Sequence, residues 1–73
     1  MKINAAKVRM LMAQNMMSLS DLQRETKLAY STLGKILNGS NARPKTVGIL
    51  AKVFNIDVEE LVVSDNKVVV LED

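Results

Sequence analysis

Apolar residues recur at intervals of three and four positions over most of this chain, which is the spacing of one face of an α-helix. Five such segments follow one another and are separated by short polar turns. They predict helices over about 5–15, 18–27, 30–38 and 44–54, and a short fifth helix from 57. We therefore expect an all-α domain over residues 1–63. A tail over residues 64–73 should follow it, as a short strand or a disordered segment.

Residues that begin and end helices flank these segments. Asn4 can accept a hydrogen bond at the start of the first helix, and the fixed backbone angle of Pro44 suits the first turn of the fourth. Asn38-Gly39 and Asn55 predict the ends of the third and fourth helices, since glycine and asparagine tolerate the left-handed conformation found there. Two further pairs have the spacing of a capping box. They are Ser18 with Asp21 and Asp57 with Glu60.

Methionine is frequent in and just after the first helix. Met10, Met16 and Met17 add to Met12 of the apolar stripe. Because methionine is flexible and fills irregular gaps, we expect these side chains to complete a small core rather than to form a ligand surface.

The segment Lys67–Leu71 is β-branched and apolar and has no helical period. If it is ordered, it should pair as a strand, because an unpaired apolar edge is unfavourable. Its partner would be a second copy of itself, which makes it a candidate dimer contact, or Leu61–Val63 of the same chain. Disorder is the alternative.

Composition narrows the classes of function. The chain of 73 residues has no cysteine and no histidine, which removes disulfides, zinc sites of the Cys/His kind and the commonest general base. No nucleophile–base pair, metal cluster or phosphate-binding loop is visible, so we expect no enzyme activity, cofactor, metal or small-molecule ligand. No stretch resembles a membrane span or a signal peptide, which leads us to expect a cytoplasmic protein.

Charge is distributed unevenly along the chain. Residues 1–46 contain eight lysines and arginines against two acidic residues, whereas residues 47–73 contain two against six. The net charge is only +2, yet this division is typical of a protein with one face turned to a polyanion. Ordinary solvated charge is the alternative interpretation.

The stretch 18–39 indicates the functional class. It predicts two short helices joined by a tight turn, the second of a size that fits the major groove of B-DNA. At the start of that helix and one turn later, Tyr30, Ser31 and Lys35 are free to reach base edges. Polar and basic residues follow where the helix ends, and they could hold the phosphates of one strand. They are Asn38, Gly39, Ser40, Asn41, Arg43 and Lys45.

Gly34 lies in the middle of the same predicted helix. Glycine there costs on the order of 1 kcal/mol relative to alanine. Either a close approach to DNA requires the missing side chain, or the fold tolerates it. Both interpretations stay open at the level of sequence.

Six segments in order resemble the Cro and lambda-repressor type of helix-turn-helix domain, the XRE family. They are Val8–Leu11, Ser18–Leu22, Leu28–Gly39, Arg43-Pro44, Leu50–Lys52 and Ile56–Leu61. The resemblance implies a five-helix domain that binds operator DNA, usually as a homodimer, and regulates transcription, and we expect its role to be that of a repressor. It assigns base reading to Tyr30, Ser31 and Lys35. It assigns backbone contacts to Ala29, Thr32, Asn38 and the loop 40–45, to which we add Ser18 and Lys27 at the two ends of the second helix.

The chain departs from the family pattern within the helix pair. Leu19 replaces a phosphate-binding glutamine, Gln23 a small residue at the helix contact, and Lys27 a glycine in the turn; Ala29 replaces a hydroxylated N-cap. The missing glutamine at position 19, together with Gly34, favours an alternative function. A protein-interaction adaptor, such as an antitoxin or anti-repressor, could keep this fold and bind another protein.

Overall fold

Five helices account for most of the described chain, which covers residues 1–63 of a computed structural model. They are α1 (Ala5–Gln14), α2 (Leu19–Thr26), α3 (Tyr30–Leu37), α4 (Pro44–Phe54) and α5 (Val58–Leu61). The predicted all-α, five-helix architecture is confirmed, and no sheet forms in this range. None of these helices is long and apolar enough to cross a membrane. The segment Lys67–Leu71, with its predicted pairing, lies outside the described residues.

One small core holds all five helices together. Each helix contributes at least one buried apolar side chain, and the extended N-terminal segment adds another. The core consists of Ile3, Val8, Leu11, Leu22, Leu33, Ile36, Val47, Leu50, Ala51, Phe54 and Leu61. Since α3 contributes Leu33 and Ile36, its inner face is fixed in the core and its outer face is left to solvent.

The predicted capping of α1 and α2 is confirmed. The Asn4 side chain accepts from the Lys7 N–H at 3.1 Å. At α2 the Ser18 N–H donates to Asp21 Oδ2 at 2.9 Å, and the Asp21 N–H donates to Ser18 Oγ at 3.1 Å. The bond from the Ser18 backbone, then that from its hydroxyl, and then Arg24 lower the pKa of Asp21 below 3.8. The ionised carboxylate therefore stabilises α2 at neutral pH. This contribution is lost as the pH falls below 3.8 and through the lowered pKa of Asp21.

The predicted capping box at α5 is wrong. Asp57 precedes the helix but makes no side-chain capping bond, and Glu60 lies 3.8 Å from the Lys7 ammonium on α1. A carboxylate that faces a lysine of another helix is drawn away from its own N-terminus. Glu60 thus links α5 to α1.

The predicted burial of methionine holds only in part. Met12 and Met17 pack against the core, whereas Met10 is 56% exposed and Met16 86% exposed. The physical reason is helical phase, because Met10 stands next to Leu11 and points away from the stripe that Val8 and Leu11 form.

Candidate nucleic-acid interface

The turn between α2 and α3 is organised by a buried threonine. Thr26 Oγ1 donates to the Leu22 carbonyl at 2.7 Å and accepts from the Leu28 N–H at 3.2 Å. The next residue, Lys27, takes the left-handed conformation with φ of 61°. This conformation turns the chain sharply, so that only three residues separate the end of α2 from the start of α3.

Lysine in the left-handed region is strained, because its Cβ approaches the following carbonyl. We expect Lys27→Gly to raise the free energy of unfolding by about 0.5 to 1 kcal/mol, the relief of strain being partly offset by the greater freedom of glycine in the unfolded chain. The same change should weaken DNA binding, since it removes an exposed cation. Urea unfolding and binding titrations measure the two effects.

Asn55→Gly is the matched control for Lys27→Gly, since Asn55 is also left-handed, with φ of 58°, and ends α4. It should change stability less, because asparagine tolerates this region, and should leave DNA binding intact. A loss of stability in Lys27→Gly would contradict the strain argument.

The outer face of α3 carries the three predicted base-reading residues. Tyr30, Ser31 and Lys35 are all exposed, while Leu33 and Ile36 of the same helix are buried. A Cβ added to Gly34 would meet no atom within 4 Å. No internal close approach therefore requires glycine at this position, and the face is open to a ligand.

Most of the predicted backbone-contacting residues lie on two concave surfaces that share Leu28. The first lies at the α2–α3 turn and is lined by Ser20, Gln23, Arg24, Lys27, Leu28 and Ala29. The second lies between α3 and the loop before α4, and is lined by Leu28, Thr32, Lys35, Ile36, Asn41, Ala42, Arg43 and Thr46. The structure thus brings Thr32, Asn41 and Arg43 together with Lys35. Ser18, Asn38, Ser40 and Lys45 are exposed outside these two linings.

The cations at and beside these surfaces differ in whether they form ion pairs. Arg24 Nη2 lies 3.1 Å from Asp21 Oδ1, so its charge is partly neutralised. Within residues 1–63, Lys27, Lys35, Arg43 and Lys45 form no ion pair. Four cations without an ion-pair partner in the described part of the chain, placed along the helix pair and its following loop, are suited to a polyanion.

Two contacts that hold α3 were missed by the sequence analysis. Arg9 Nη2 donates to the Leu37 carbonyl at 2.7 Å. Leu37 ends α3, and the helix dipole also favours a cation at that end. Ser20 Oγ and Tyr30 Oη lie 2.7 Å apart, and either hydroxyl can donate. The second contact joins α2 to the first residue of α3 and fixes the position of the Tyr30 hydroxyl.

Ser20 should therefore influence recognition through Tyr30. We expect Ser20→Ala and Tyr30→Phe each to relax base preference at one position, and the double variant to lose no more than the stronger single variant, because both remove one hydrogen bond. Affinities for duplexes substituted at each position measure this. Ser40→Ala, in the following loop, is the control and should not relax that position. Strictly additive effects of the first two changes would contradict the coupling.

Nothing in the described chain indicates a metal site, since no group of three acidic, histidine or cysteine residues within residues 1–63 could hold an ion.

Comparison with known proteins identifies the fold type. A family model described as helix-turn-helix matches residues 8–61, which covers most of the chain and includes both α2 and α3. No curated protein and no solved structure matches significantly. The family is a DNA-binding regulatory one rather than a catalytic one. With its five helices and the exposed face of α3, the chain belongs to the helix-turn-helix family of the XRE, or Cro and lambda-repressor, type and is a DNA-binding regulator.

Proposed function

We propose that this protein is a sequence-specific, double-stranded DNA-binding repressor of transcription that places α3 in the major groove. The observation that carries this proposal is the open outer face of α3. Tyr30, Ser31 and Lys35 are exposed there, and cations that form no ion pair within residues 1–63 lie at the turn before the helix and in the loop after it. An α-helix fits the major groove, and cations on both sides of it would meet the phosphates that border the groove.

The three exposed side chains of α3 have different roles in base reading. The Lys35 ammonium can donate to O6 and N7 of guanine, and the Ser31 hydroxyl can pair with several bases. The Tyr30 ring can touch a thymine methyl group, while its hydroxyl is held by Ser20. Sequence preference would rest on these three residues.

Contacts to the DNA backbone come from the two ends of α3. At the first end, the amides of its first turn have no carbonyl partner in the helix and adjoin Lys27 and Ala29, which suits a phosphate. At the other end, the loop offers polar and basic side chains to the same strand. The proposed backbone-contacting residues are Ser18, Lys27, Ala29, Thr32, Asn38, Ser40, Asn41, Arg43 and Lys45.

Selection from randomised duplexes tests this function. We expect an enriched half-site and an affinity that falls steeply with salt concentration, because bound phosphates release counterions. Absence of an enriched sequence, or binding insensitive to salt, would overturn the proposal. A reporter with the selected site across its promoter tests repression, and increased expression would contradict that role.

Lys35 and Arg43 should separate base reading from backbone binding. Lys35→Ala is expected to cost about 1 to 3 kcal/mol of binding free energy and to relax preference at one base pair. Arg43→Ala should weaken binding to all sequences alike and reduce the salt dependence. Titrations against the selected and a scrambled duplex measure both, and the same pattern in the two variants would refute the assignment.

We further propose that the protein binds as a homodimer through Lys67–Leu71. Two half-sites require two copies of α3, and the apolar, β-branched segment could pair with its equivalent in a second chain. Light scattering on the full chain and on a chain ending at Ser64 tests this. Dimers of the full chain and monomers of the shorter one are expected, and dimers of both would assign the contact elsewhere.

A protein-interaction adaptor is the second candidate. The observation in its favour is the exposure of two large apolar side chains, Met10 and Met16, each more than half exposed. Exposed apolar side chains of this size could contact another protein, as in an antitoxin or anti-repressor. Co-purification of one defined partner, with no retention on a duplex column, would favour this function over DNA binding.

A further inference from the structure

The first three residues of the chain form an extended segment between two others. The Ala42 N–H donates to the Met1 carbonyl and the Met1 nitrogen donates to the Ala42 carbonyl, both at 2.7 Å. On the other side, the Val63 N–H donates to the Lys2 carbonyl at 2.8 Å. Antiparallel bridges pair Lys2 with Asn41 and Ile3 with Val62. The segment 1–3 is therefore tied to the loop that follows α3.

This pairing determines where the Lys2 side chain lies. Side chains alternate along an extended segment, and Ile3 is only 1% exposed and belongs to the core. Lys2 must then point to the opposite face, towards solvent, and it is exposed. Residues paired directly across an antiparallel bridge share a face and stand about 5 Å apart at Cβ. Lys2 and the exposed Asn41 are thus neighbours on the outer surface.

The neighbourhood of Asn41 connects Lys2 with the proposed DNA interface. Asn41 and Arg43 line the same concave surface as Lys35, which projects from α3. Lys2 forms no ion pair within residues 1–63, so its charge adds to that of Arg43 at the edge of this surface. Phosphates bound along the loop would lie within reach of a lysine side chain anchored beside Asn41.

We propose that Lys2 is an additional DNA-backbone contact, held beside the loop 40–45 by the pairing of residues 1–3. This inference rests on the proposed DNA-binding function and extends it to a segment outside the helix-turn-helix pair. The contact would be independent of base sequence, because a lysine directed at phosphates strengthens binding to every duplex. The pairing of residues 1–3 with Asn41 and Ala42 would also make the position of the loop depend on the first residues of the chain.

The test compares the salt dependence of binding by the full chain and by its Lys2→Gln variant, on the selected duplex and on a scrambled one. We expect the slope of log affinity against log salt to fall in magnitude by about 0.9 in Lys2→Gln, on both duplexes. Lys2→Arg should restore the slope. Thermal unfolding should be unchanged, since Lys2 is exposed.

Lys52→Gln is the matched control, because Lys52 is exposed and lies eight residues beyond Pro44 on α4, about 12 Å along the helix. It should leave the slope unchanged. An unaltered slope in Lys2→Gln beside a reduced slope in Arg43→Gln would overturn this inference alone, as would equal reductions in Lys2→Gln and Lys52→Gln. Failure of the wild-type chain to bind any duplex would overturn the proposed function and the inference together.

Discussion

Replacing Gly34 by glutamate is expected to abolish DNA binding while the domain stays folded and becomes slightly more stable. Glycine inside a helix costs about 1 kcal/mol relative to alanine, and glutamate is among the better helix formers. A Cβ at this position meets no atom within 4 Å, so a side chain can start there without a clash in the free protein. Stability should therefore rise by up to about 1 kcal/mol.

Binding should respond in the opposite direction, because Gly34 lies on the outer face of α3 beside Lys35. A carboxylate there would face the DNA, and like-charge juxtaposition at an interface costs several kcal/mol. We expect affinity to fall by more than about 100-fold, which corresponds to roughly 3 kcal/mol. Fluorescence anisotropy with the selected duplex measures affinity, and thermal unfolding measures stability.

Ala6→Glu is the control for Gly34→Glu, since Ala6 is exposed on α1 and the net charge changes equally. It should reduce affinity only slightly, through the general field of the protein. Equal losses in the two variants would contradict the placement of α3 in the groove. Gly34→Ala adds only a methyl group, so it separates the two interpretations of the glycine. Lost binding would indicate a close approach to DNA, and retained binding would indicate tolerance.

The sequence predicts the helices well because their signals are local. Apolar spacing defines the face of each helix, and Ser18, Asp21, Pro44 and Gly39 mark helix ends through bonds or backbone angles within a few residues. The same locality places Tyr30, Ser31 and Lys35 on the exposed face of α3. Their roles towards DNA remain predictions, since these depend on a ligand.

The features that the sequence analysis missed all depend on contacts distant in sequence. The bond of Ser20 to Tyr30 requires the packing of α2 against α3, which periodicity does not specify. Glu60 faces Lys7 only because α5 packs near α1. The pairing of residues 1–3 involves too few positions to show any period. Met10 and Met16 were predicted wrongly for a different reason. Their residue type suggested burial, but the helical phase of Met10 and the position of Met16 in the turn after α1 leave both exposed.

Leu33→Ala should be the most damaging single change to stability among those considered for α3. Leu33 is fully buried in the core, and removing such a side chain typically costs 2 to 5 kcal/mol. A chain of this length has a total stability of roughly 4 to 11 kcal/mol. The local interactions of α3 offset little of this loss, since the helix has no side-chain cap at its start and contains Gly34. We expect Tm to fall by at least about 10 °C.

The control for Leu33→Ala is Leu37→Ala, the same chemical change on the same helix at a half-buried position. It should cost clearly less, because less apolar surface is lost from the core. Equal losses in the two variants would contradict the role of Leu33 as the anchor of α3. Adding DNA should distinguish a variant with a folding defect from one with a binding defect. A ligand at 100 times its Kd stabilises the folded state by about 2.7 kcal/mol, but only in a variant that binds it. Addition of the selected duplex should therefore raise the Tm of Leu33→Ala towards that of the wild-type chain, and should leave the Tm of Gly34→Glu unchanged, because that variant does not bind the duplex.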